Sequence, residues 1–165
     1  MNFMILGHEK IVEYVRKYNL IENFDKNCLS CSGYDLRIGK IYRISGSCFL
    51  RKADRKLPEI EEIPEERYSL TRGEYLLLES LEKINMPKNL AARILPRSTV
   101  FRCGASLITA LVDPGYQGTL TMGLVNLGSE KFEIEKGSRI AQIIFEEILG
   151  EAKPYSGRYQ GGKVI

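Results

Sequence analysis

The chain has 165 residues, of which 44% are hydrophobic and 27% are charged, and its net charge is +3. This length favours a single domain with a sizeable core, and the composition is ordinary for a soluble globular protein. The positive excess is small and dispersed, so it does not indicate a nucleic-acid surface. No apolar run approaches the roughly 18 residues of a membrane helix, and no secretory cleavage pattern is present. We therefore expect a cytoplasmic protein with neither nucleic-acid nor membrane partners.

One substantial helix is expected, near the N-terminus. Within residues 7–18, Ile11, Val15 and Tyr18 recur at i, i+4 and i+7 with Val12 alongside. This spacing places them on one face of a short amphipathic helix.

The rest of the chain has the pattern of strands separated by turns. Residues 34–44 alternate until Gly39, where the change of phase predicts a turn or bulge. Residues 51–67 are charged and hold two prolines, and we interpret them as a solvated excursion. Further runs of strand length occupy residues 75–81, 90–95, 107–112, 118–126, 132–134 and 140–145.

Many short strands and one helix predict an all-β sandwich or barrel. The last residues, 151–165, have little to bury and predict a mobile tail. The sequence thus predicts a β-domain over residues 1–150, followed by that tail.

The four cysteines leave two interpretations open. Cys28 and Cys31 have the spacing of half a zinc site, but no second pair follows, and His8 is the only histidine. Reduced thiols, with Cys48 and Cys103 among them, are the favoured interpretation. A redox pair between Cys28 and Cys31 is the alternative.

Residues 96–126 concentrate the side chains that could carry chemistry. Arg97, Ser98 and Arg102 fall within six residues. Two guanidinium groups and a hydroxyl can hold a polyphosphate, because guanidinium donors match phosphate oxygens and stay charged. Arginines on a surface more often serve solubility, so this set alone does not define a site.

Asp113 and Tyr116 flank a Pro-Gly turn at the end of a strand in the same stretch. Asp-Pro-Gly is a common turn sequence, yet a carboxylate in such a place can activate water. The ring of Tyr116 can pack on a sugar. Together with the arginines, these residues indicate a nucleotide enzyme.

Five segments resemble, in the same order, the motifs of the dUTPase and dCTP deaminase superfamily. They are residues 32–37 (SGYDLR), 97–102 (RSTVFR), 112–118 (VDPGYQG), 136–142 (KGSRIAQ) and 157–162 (GRYQGG). Each motif is weak alone, but five in order are specific, and the resemblance runs from about residue 4 to the end. It implies a distorted jelly-roll β-barrel with one short N-terminal helix, assembled as a homotrimer with active sites at the subunit interfaces.

The resemblance also implies roles for the site residues. Asp113 would activate water for attack on the α-phosphate of dUTP, releasing dUMP and pyrophosphate. Tyr116 would pack under the deoxyribose and exclude a 2′-hydroxyl. Asp35 would help to hold Mg²⁺ through water, since this ion keeps several waters and binds mainly through substrate phosphates. The remaining nucleotide contacts would be Arg97, Ser98, Thr99, Arg102, Thr109, Ala110, Thr121, Met122, Gly123, Gln142, Tyr155, Arg158 and Gln160.

The resemblance implies more specific roles for residues 121–123, for Gln142 and for the tail. Backbone groups of residues 121–123 would read the uracil. Gln142 lies in an otherwise apolar strand and needs a partner, so a structural hydrogen bond is the alternative to a phosphate contact. The tail would close over the nucleotide from a neighbouring subunit and exclude water.

The superfamily contains two reactions, and the sequence has features of both. Its N-terminal helix, its Thr109-Ala110 pair and its short tail resemble the deaminases. Deaminases carry a glutamate ten residues after the aspartate of the third motif, where this chain has Gly123. Those of the common bacterial type also carry a histidine two residues before that aspartate, where this chain has Leu111. No other carboxylate occurs in residues 119–126.

We therefore predict a dUTPase on a deaminase-like frame. One alternative is a bifunctional dCTP deaminase and dUTPase, which would need another carboxylate to replace the missing glutamate. Another is a non-catalytic deoxynucleotide-binding regulator. A deoxynucleotide triphosphatase with a relaxed base preference is the third.

Overall fold

The computed structural model describes residues 4–165, so the first three residues of the domain predicted over 1–150 lie outside the described part. The helices are α1 (His8–Tyr18), α2 (Ser98–Arg102) and a 3-10 turn over Lys26–Cys28. The strands are β1 (Ile21–Glu22), β2 (Tyr34–Ser45), β3 (Phe49–Leu50), β4 (Arg55–Lys56), β5 (Glu59–Ile63), β6 (Arg67–Leu70), β7 (Tyr75–Asn85), β8 (Leu90–Pro96), β9 (Ala105–Ile108), β10 (Leu111–Val112), β11 (Gln117–Asn126), β12 (Phe132–Glu135) and β13 (Arg139–Glu147). Strands make up 47% of the chain and helices 12%, which confirms the predicted all-β class.

The N-terminal helix forms where the apolar spacing predicts it. Gly7 is its N-cap, and Asn19 ends it in the left-handed conformation at φ 52°, which asparagine tolerates better than most residues. Ile11 is fully buried, whereas Tyr18 is 43% exposed. The helix therefore anchors on the first of its apolar residues and leaves its last turn at the surface.

Nine strands form one antiparallel sheet in which β2 is central. Along the main path the order is β10-β8-β13-β2-β7-β11-β9, with β1 added on β7 and β5 on β2. The predicted bulge is present, because the pairing of β2 with β7 shifts register between Ile38 and Lys40. At Gly39, a Cβ atom would lie 2.9 Å from the Ser80 carbonyl oxygen, so only glycine fits this close approach.

The strands β9 and β10 follow each other in sequence but lie at opposite ends of the sheet, and this explains why the sheet curls. The run predicted at 107–112 is two strands, β9 on β11 and β10 on β8. Only Thr109 and Ala110 separate them, so the two edges of the sheet lie close together. The hydroxyl of Thr109 donates to the Ile94 carbonyl oxygen on β8 at 2.7 Å. The result is a curled half-barrel, which agrees with the dUTPase-like β-barrel that the resemblance implies.

The segment at residues 51–67 is not wholly a solvated excursion, and that interpretation is wrong for its second half. β5 lies there and pairs with β2 in an antiparallel register from Ile63 to Glu59. Ile63 is fully buried, while the four residues before it are exposed. A charged edge strand with one buried residue has no alternation from which a strand could be predicted.

A buried ion pair ties β2 to β7 inside the fold. Glu82 is fully buried and accepts a hydrogen bond from Arg37 Nε at 2.7 Å and another from the Arg37 backbone amide at 2.9 Å. The Tyr34 hydroxyl donates to the same carboxylate at 3.2 Å, and burial raises the pKa of Tyr34. The carboxylate is thus fully satisfied, as a buried charge must be.

The core is a single apolar cluster lined by the inward faces of these strands. Its largest fully buried side chains include Tyr34, Leu36, Ile38, Ile41, Leu76, Leu78 and Phe145. In the described part of the chain, no helix has the length and apolar character needed to cross a bilayer. The cytoplasmic location stays a prediction.

Candidate functional site

A cavity of about 270 Å³ lies where β10 leaves the sheet. Its walls come from β8, β10, β11 and the C-terminal tail. The lining residues are Ile94, Ala110, Leu111, Val112, Asp113, Tyr116, Leu120, Thr121, Tyr155, Tyr159, Lys163 and Val164. Five of the predicted site residues are therefore brought together in one place: Ala110, Asp113, Tyr116, Thr121 and Tyr155.

Asp113 reaches the cavity from a tight turn. The Tyr116 amide donates to the Asp113 carbonyl oxygen at 3.2 Å, and the Gly115 amide donates to the Met86 carbonyl oxygen at 3.0 Å. Gly115 has a φ of +76°, a conformation that glycine adopts at little cost. The Asp113 carboxylate is half-buried, and no side-chain hydrogen bond or ion pair engages it within residues 4–165. It is consequently free to accept a hydrogen bond from water.

Tyr116 forms a flat wall beside this carboxylate. Its side chain is buried, its hydroxyl donates to the Thr119 carbonyl oxygen, and its ring meets that of Tyr155 edge-on with centroids 5.6 Å apart. Burial raises the pKa of Tyr116 to about 12. The phenol therefore stays neutral and can offer an apolar ring face to a sugar.

The strand that follows, β11, provides another part of the cavity wall. Thr121 lines the cavity, whereas the side chain of Met122 is buried in the core. Only the backbone of Met122 could meet a ligand. Gly123 points to the same side of β11 as Thr121, because side chains alternate along a strand.

An unpredicted residue, Tyr75, covers Gly123. A Cβ atom built on Gly123 would lie 2.2 Å from the Tyr75 hydroxyl oxygen and 2.8 Å from Cζ of the ring. The ring therefore occupies the space that any side chain at position 123 would need. Burial raises the pKa of Tyr75. No sequence signal points to this residue, because the contact depends on how β7 pairs with β11.

The predicted phosphate-binding residues gather elsewhere. Arg97 follows β8, and its Nε lies 3.0 Å from Oδ2 of Asp35. Arg139 contacts the same oxygen through Nη1 at 3.5 Å. Arg97, Thr99, Ser138 and Arg139 all line a second cavity of about 240 Å³. Ser98, Thr99 and Arg102 are exposed on α2.

Gln142 has the structural partner that its apolar surroundings require. Its Nε2 donates to the Ser30 hydroxyl at 2.6 Å. The structural hydrogen bond that the sequence predicts as one alternative is therefore present. A phosphate contact by Gln142 stays a prediction.

The two groups of residues lie at opposite ends of β8. Val112, next to Asp113, pairs with Ala92, and Arg97 lies five residues further along. At about 3.3 Å per residue, this places Arg97 about 17 Å from the level of Val112. One chain alone does not bring the candidate base and the candidate phosphate-binding arginines together.

The tail packs on the turn of its own chain. The Gln160 side-chain amide donates to the Gly115 carbonyl oxygen and accepts from the Gln117 amide, each at 3.0 Å. The Gly161 amide donates to the Gln117 carbonyl oxygen at 2.8 Å. At Gly118, a Cβ atom would lie 2.3 Å from the backbone nitrogen of Gly162. Donation of the tail to a neighbouring subunit stays a prediction.

Two basic side chains of the tail, Arg158 and Lys163, are candidates for phosphate contacts. Arg158 is exposed, whereas Lys163 lines the cavity. Lys163 is not among the predicted nucleotide contacts, although its positive charge could serve a phosphate. The sequence feature that could have indicated Lys163 is its position directly after Gly161 and Gly162 in the tail.

The described residues do not form a protein-held metal cage. No cluster of three or more His, Cys, Asp or Glu side chains suited to a metal ion occurs among them. All four cysteines are free thiols, and Cys28 alone is buried. Burial raises the pKa of Cys28.

Curated relatives carry the names of two different enzymes. "dCTP deaminase" of Pyrococcus horikoshii is 36% identical over 148 residues, which cover 89% of this chain and 88% of that protein. "Probable deoxyuridine 5'-triphosphate nucleotidohydrolase" of Methanothermobacter thermautotrophicus is 37% identical over 129 residues, which cover 78% of this chain and 85% of that protein.

Solved structures show the same fold at low identity. The 2'-deoxycytidine 5'-triphosphate deaminase of Agrobacterium tumefaciens superposes with a TM-score of 0.70 at 18% identity over 89% of this chain, which spans about half (49%) of that structure. A mutant dUTPase from phage phi11 of S. aureus, which coordinates a structural Mg(II) ion, superposes with a TM-score of 0.52 at 16% identity over 84% of this chain and 97% of that one.

A family model decides the membership. The model described as dCTP deaminase-like matches residues 5–148, which include β1 to β13 and the Asp113 turn. The chain therefore belongs to the dCTP deaminase-like family, whose relatives include enzymes named dCTP deaminase and dUTPase.

Proposed function

We propose that the protein is a dUTP diphosphatase, which hydrolyses dUTP to dUMP and pyrophosphate. Family membership alone leaves the reaction open, because relatives of similar identity carry both names. The observation that carries the choice is at position 123. The resemblance places the deaminase glutamate there, but this chain has glycine, and the Tyr75 hydroxyl fills the adjoining space. A water attacking the base would have no carboxylate to activate it.

Asp113 supports the hydrolytic alternative. Asp113 lines the cavity, and its carboxylate is not engaged by another described side chain. A general base must reach the proton that it takes, directly or through one water. In the proposed reaction, Asp113 accepts a proton from water as the water oxygen attacks the α-phosphorus. The bond to the bridging oxygen breaks, and pyrophosphate leaves.

The same cavity provides groups for the sugar and the base. The Tyr116 ring would pack on the deoxyribose and leave no room for a 2′-hydroxyl. Backbone groups near Ala110 and residues 121–123 would read uracil, whose N3–H donor and O4 acceptor are the reverse of the cytosine pattern. Thr121 and Ala110 both line this cavity, which supports the assignment.

A second copy of the chain would complete the site. Asp113 and the phosphate-binding arginines lie at opposite ends of β8, so another subunit must supply one of the two groups to a single nucleotide. Large apolar side chains that are 45–63% exposed lie on and around α2 and β8 to β10, as expected of a surface that another subunit covers. They are Leu95, Phe101, Ile108, Leu111 and Leu127. We propose the homotrimer that the resemblance implies.

Magnesium would enter with the substrate. The described residues include no group of three or more His, Cys, Asp or Glu side chains that could hold a metal ion, and Mg²⁺ binds readily through substrate phosphates while keeping several waters. We therefore propose Mg²⁺·dUTP as the form that is hydrolysed.

One assay tests the reaction. The purified protein is incubated with Mg²⁺ and dUTP, dCTP, dTTP or UTP, and both pyrophosphate and ammonia are measured. We expect pyrophosphate from dUTP and no ammonia from dCTP. Ammonia release would favour the bifunctional alternative. Tight binding of dUTP without any pyrophosphate would favour a regulator, and equal turnover of dUTP and dTTP would favour a relaxed triphosphatase.

The variant Asp113→Asn tests the base. Losing a general base lowers turnover about 10²–10⁴-fold, while binding of an α,β-imido analogue of dUTP should remain measurable. Asp54→Asn is the charge-matched control, because Asp54 is exposed and pairs only with Arg51 at 3.6 Å among the described side chains. Near-parental pyrophosphate release by Asp113→Asn would show that Asp113 is not the base.

A further inference from the structure

We propose that Asp35 is a positioning residue that holds Arg97 and Arg139 for the phosphates, in place of the water-mediated metal contact. This inference rests on the proposed function, since the phosphate role of Arg97 comes from it. It goes beyond that function because it assigns Asp35 to the orientation of two arginines, whereas the resemblance implies that Asp35 helps to hold Mg²⁺.

Asp35 lies where three neighbouring strands meet. It belongs to β2, and its Cα partner on β13 is Gln142. Arg139 begins β13, and Arg97 follows β8 on the other side of β13. One carboxylate oxygen, Oδ2, contacts both guanidinium groups, at 3.0 Å for Arg97 Nε and 3.5 Å for Arg139 Nη1.

Burial makes this contact effective as an anchor. The Asp35 side chain is only 10% exposed, whereas those of Arg97 and Arg139 are 31% and 46% exposed. The carboxylate is therefore held inside, and the two cations extend from it towards solvent. Within this group of three side chains, one negative and two positive charges leave a net charge of +1. Glu133 and Glu135 also line the second cavity, and Glu135 is paired with Arg67 at 3.1 Å.

The geometry leaves donors free for a phosphate. Arg97 uses Nε for Asp35, and Nη1 makes only a long contact of 3.4 Å with the Arg139 carbonyl oxygen. The outer edge of the guanidinium group can still bind oxygen atoms in pairs. Because the side chain is already oriented, less conformational freedom is lost when the phosphate binds.

A divalent cation fits this place poorly. Mg²⁺ would have to share the Asp35 carboxylate with two guanidinium groups and would be repelled by both. Among residues 4–165, Asp35 belongs to no group of three or more His, Cys, Asp or Glu side chains that could hold a metal ion. The contacts that Asp35 makes are ion pairs that orient Arg97 and Arg139.

Binding of inorganic triphosphate in EDTA, measured by calorimetry, separates the two roles without turnover. If Asp35 positions the arginines, Asp35→Asn should weaken metal-free binding about tenfold, as expected for the loss of a charge-assisted anchor. The Mg²⁺ concentration for half-maximal dUTP hydrolysis should stay unchanged. If Asp35 contacts the metal, metal-free binding should be unchanged or tighter, because one negative charge beside the phosphate is gone, and the Mg²⁺ requirement should rise.

Two further variants make the test decisive. Asp54→Asn changes the net charge equally at a remote exposed pair and should leave triphosphate binding unchanged. Asp35→Glu keeps the charge but moves the carboxylate by one methylene. It should also weaken metal-free binding, and it carries the test if Asp35→Asn does not fold. Unchanged or tighter metal-free binding in the folded Asp35 variants, or no triphosphate binding by the wild type, would overturn the inference. Failure of the wild type to hydrolyse dUTP would instead overturn the proposed function.

Discussion

The contact between Tyr75 and Gly123 predicts a strong energetic coupling between two strands. The perturbation is Gly123→Ala, made both in the wild type and in a Tyr75→Ala background. In the wild type, the new methyl group would lie 2.2 Å from the Tyr75 hydroxyl oxygen. Real Cβ atoms do not approach an oxygen this closely, so the tyrosine ring must swing away from β11.

The expected magnitude follows from that displacement. Overpacking a well-filled site costs about 1–3 kcal/mol. The clashing atoms are the far end of a half-buried side chain, so we expect the lower part of this range, about 1–2 kcal/mol. For a chain of this size, each kcal/mol lowers Tm by about 2–4 °C. In the Tyr75→Ala background the clash is absent, and alanine in place of glycine should be neutral or stabilising by up to about 1 kcal/mol.

Urea and thermal unfolding of the four proteins measure this cycle. We expect a coupling of about 1–3 kcal/mol between the two positions, a range typical of residues in contact. Gly7→Ala is the control for coupling, because nothing lies within 4 Å of its Cβ position. Alanine is a poorer N-cap than glycine, and the resulting change in Tm should be the same in both backgrounds. If Gly123→Ala lowers Tm equally with and without the Tyr75 ring, the ring does not occupy the space at position 123. The space beside Gly123 would then be open to a carboxylate from elsewhere in the protein.

Three other outcomes are expected. Tyr116→Ala should lose discrimination between dUTP and UTP in the pyrophosphate assay if, as we propose, the ring excludes the 2′-hydroxyl; unchanged selectivity would refute that role. Glu82→Gln should lower the free energy of unfolding by about 3 kcal/mol in urea, because it leaves the Arg37 guanidinium group without its buried partner; a loss below about 1 kcal/mol would contradict this. Gln160→Ala removes both hydrogen bonds of its amide to the turn, so limited proteolysis should cleave the tail faster than in the wild type, and equal cleavage rates would show that this amide does not hold the tail.

Part of the candidate site could be predicted because it is local in sequence. The turn from Asp113 to Tyr116 depends on a proline and a glycine at adjacent positions, and Asp113 and Tyr116 both line the cavity. The strand after it could be predicted from its alternation. These features need no knowledge of the neighbouring strands.

The other part depends on pairing between distant segments. Tyr75 covers Gly123 only because of the register between β7 and β11. Asp35 meets Arg97 and Arg139 only because β13 separates β2 from β8. The contacts of Asp35 with these arginines could not be predicted from the sequence, because the spacing of motifs does not reveal the order of strands in the sheet.

The sequence by itself determined the all-β class, the N-terminal helix, the bulge at Gly39 and the Asp113 turn, because each depends on residues close together in the chain. The tertiary structure alone decided that β9 and β10 lie at opposite edges of one curled sheet. It also decided that the candidate base and Arg97 lie at opposite ends of β8. Both outcomes depend on which distant strands exchange backbone hydrogen bonds, and the local pattern of side chains does not fix that choice.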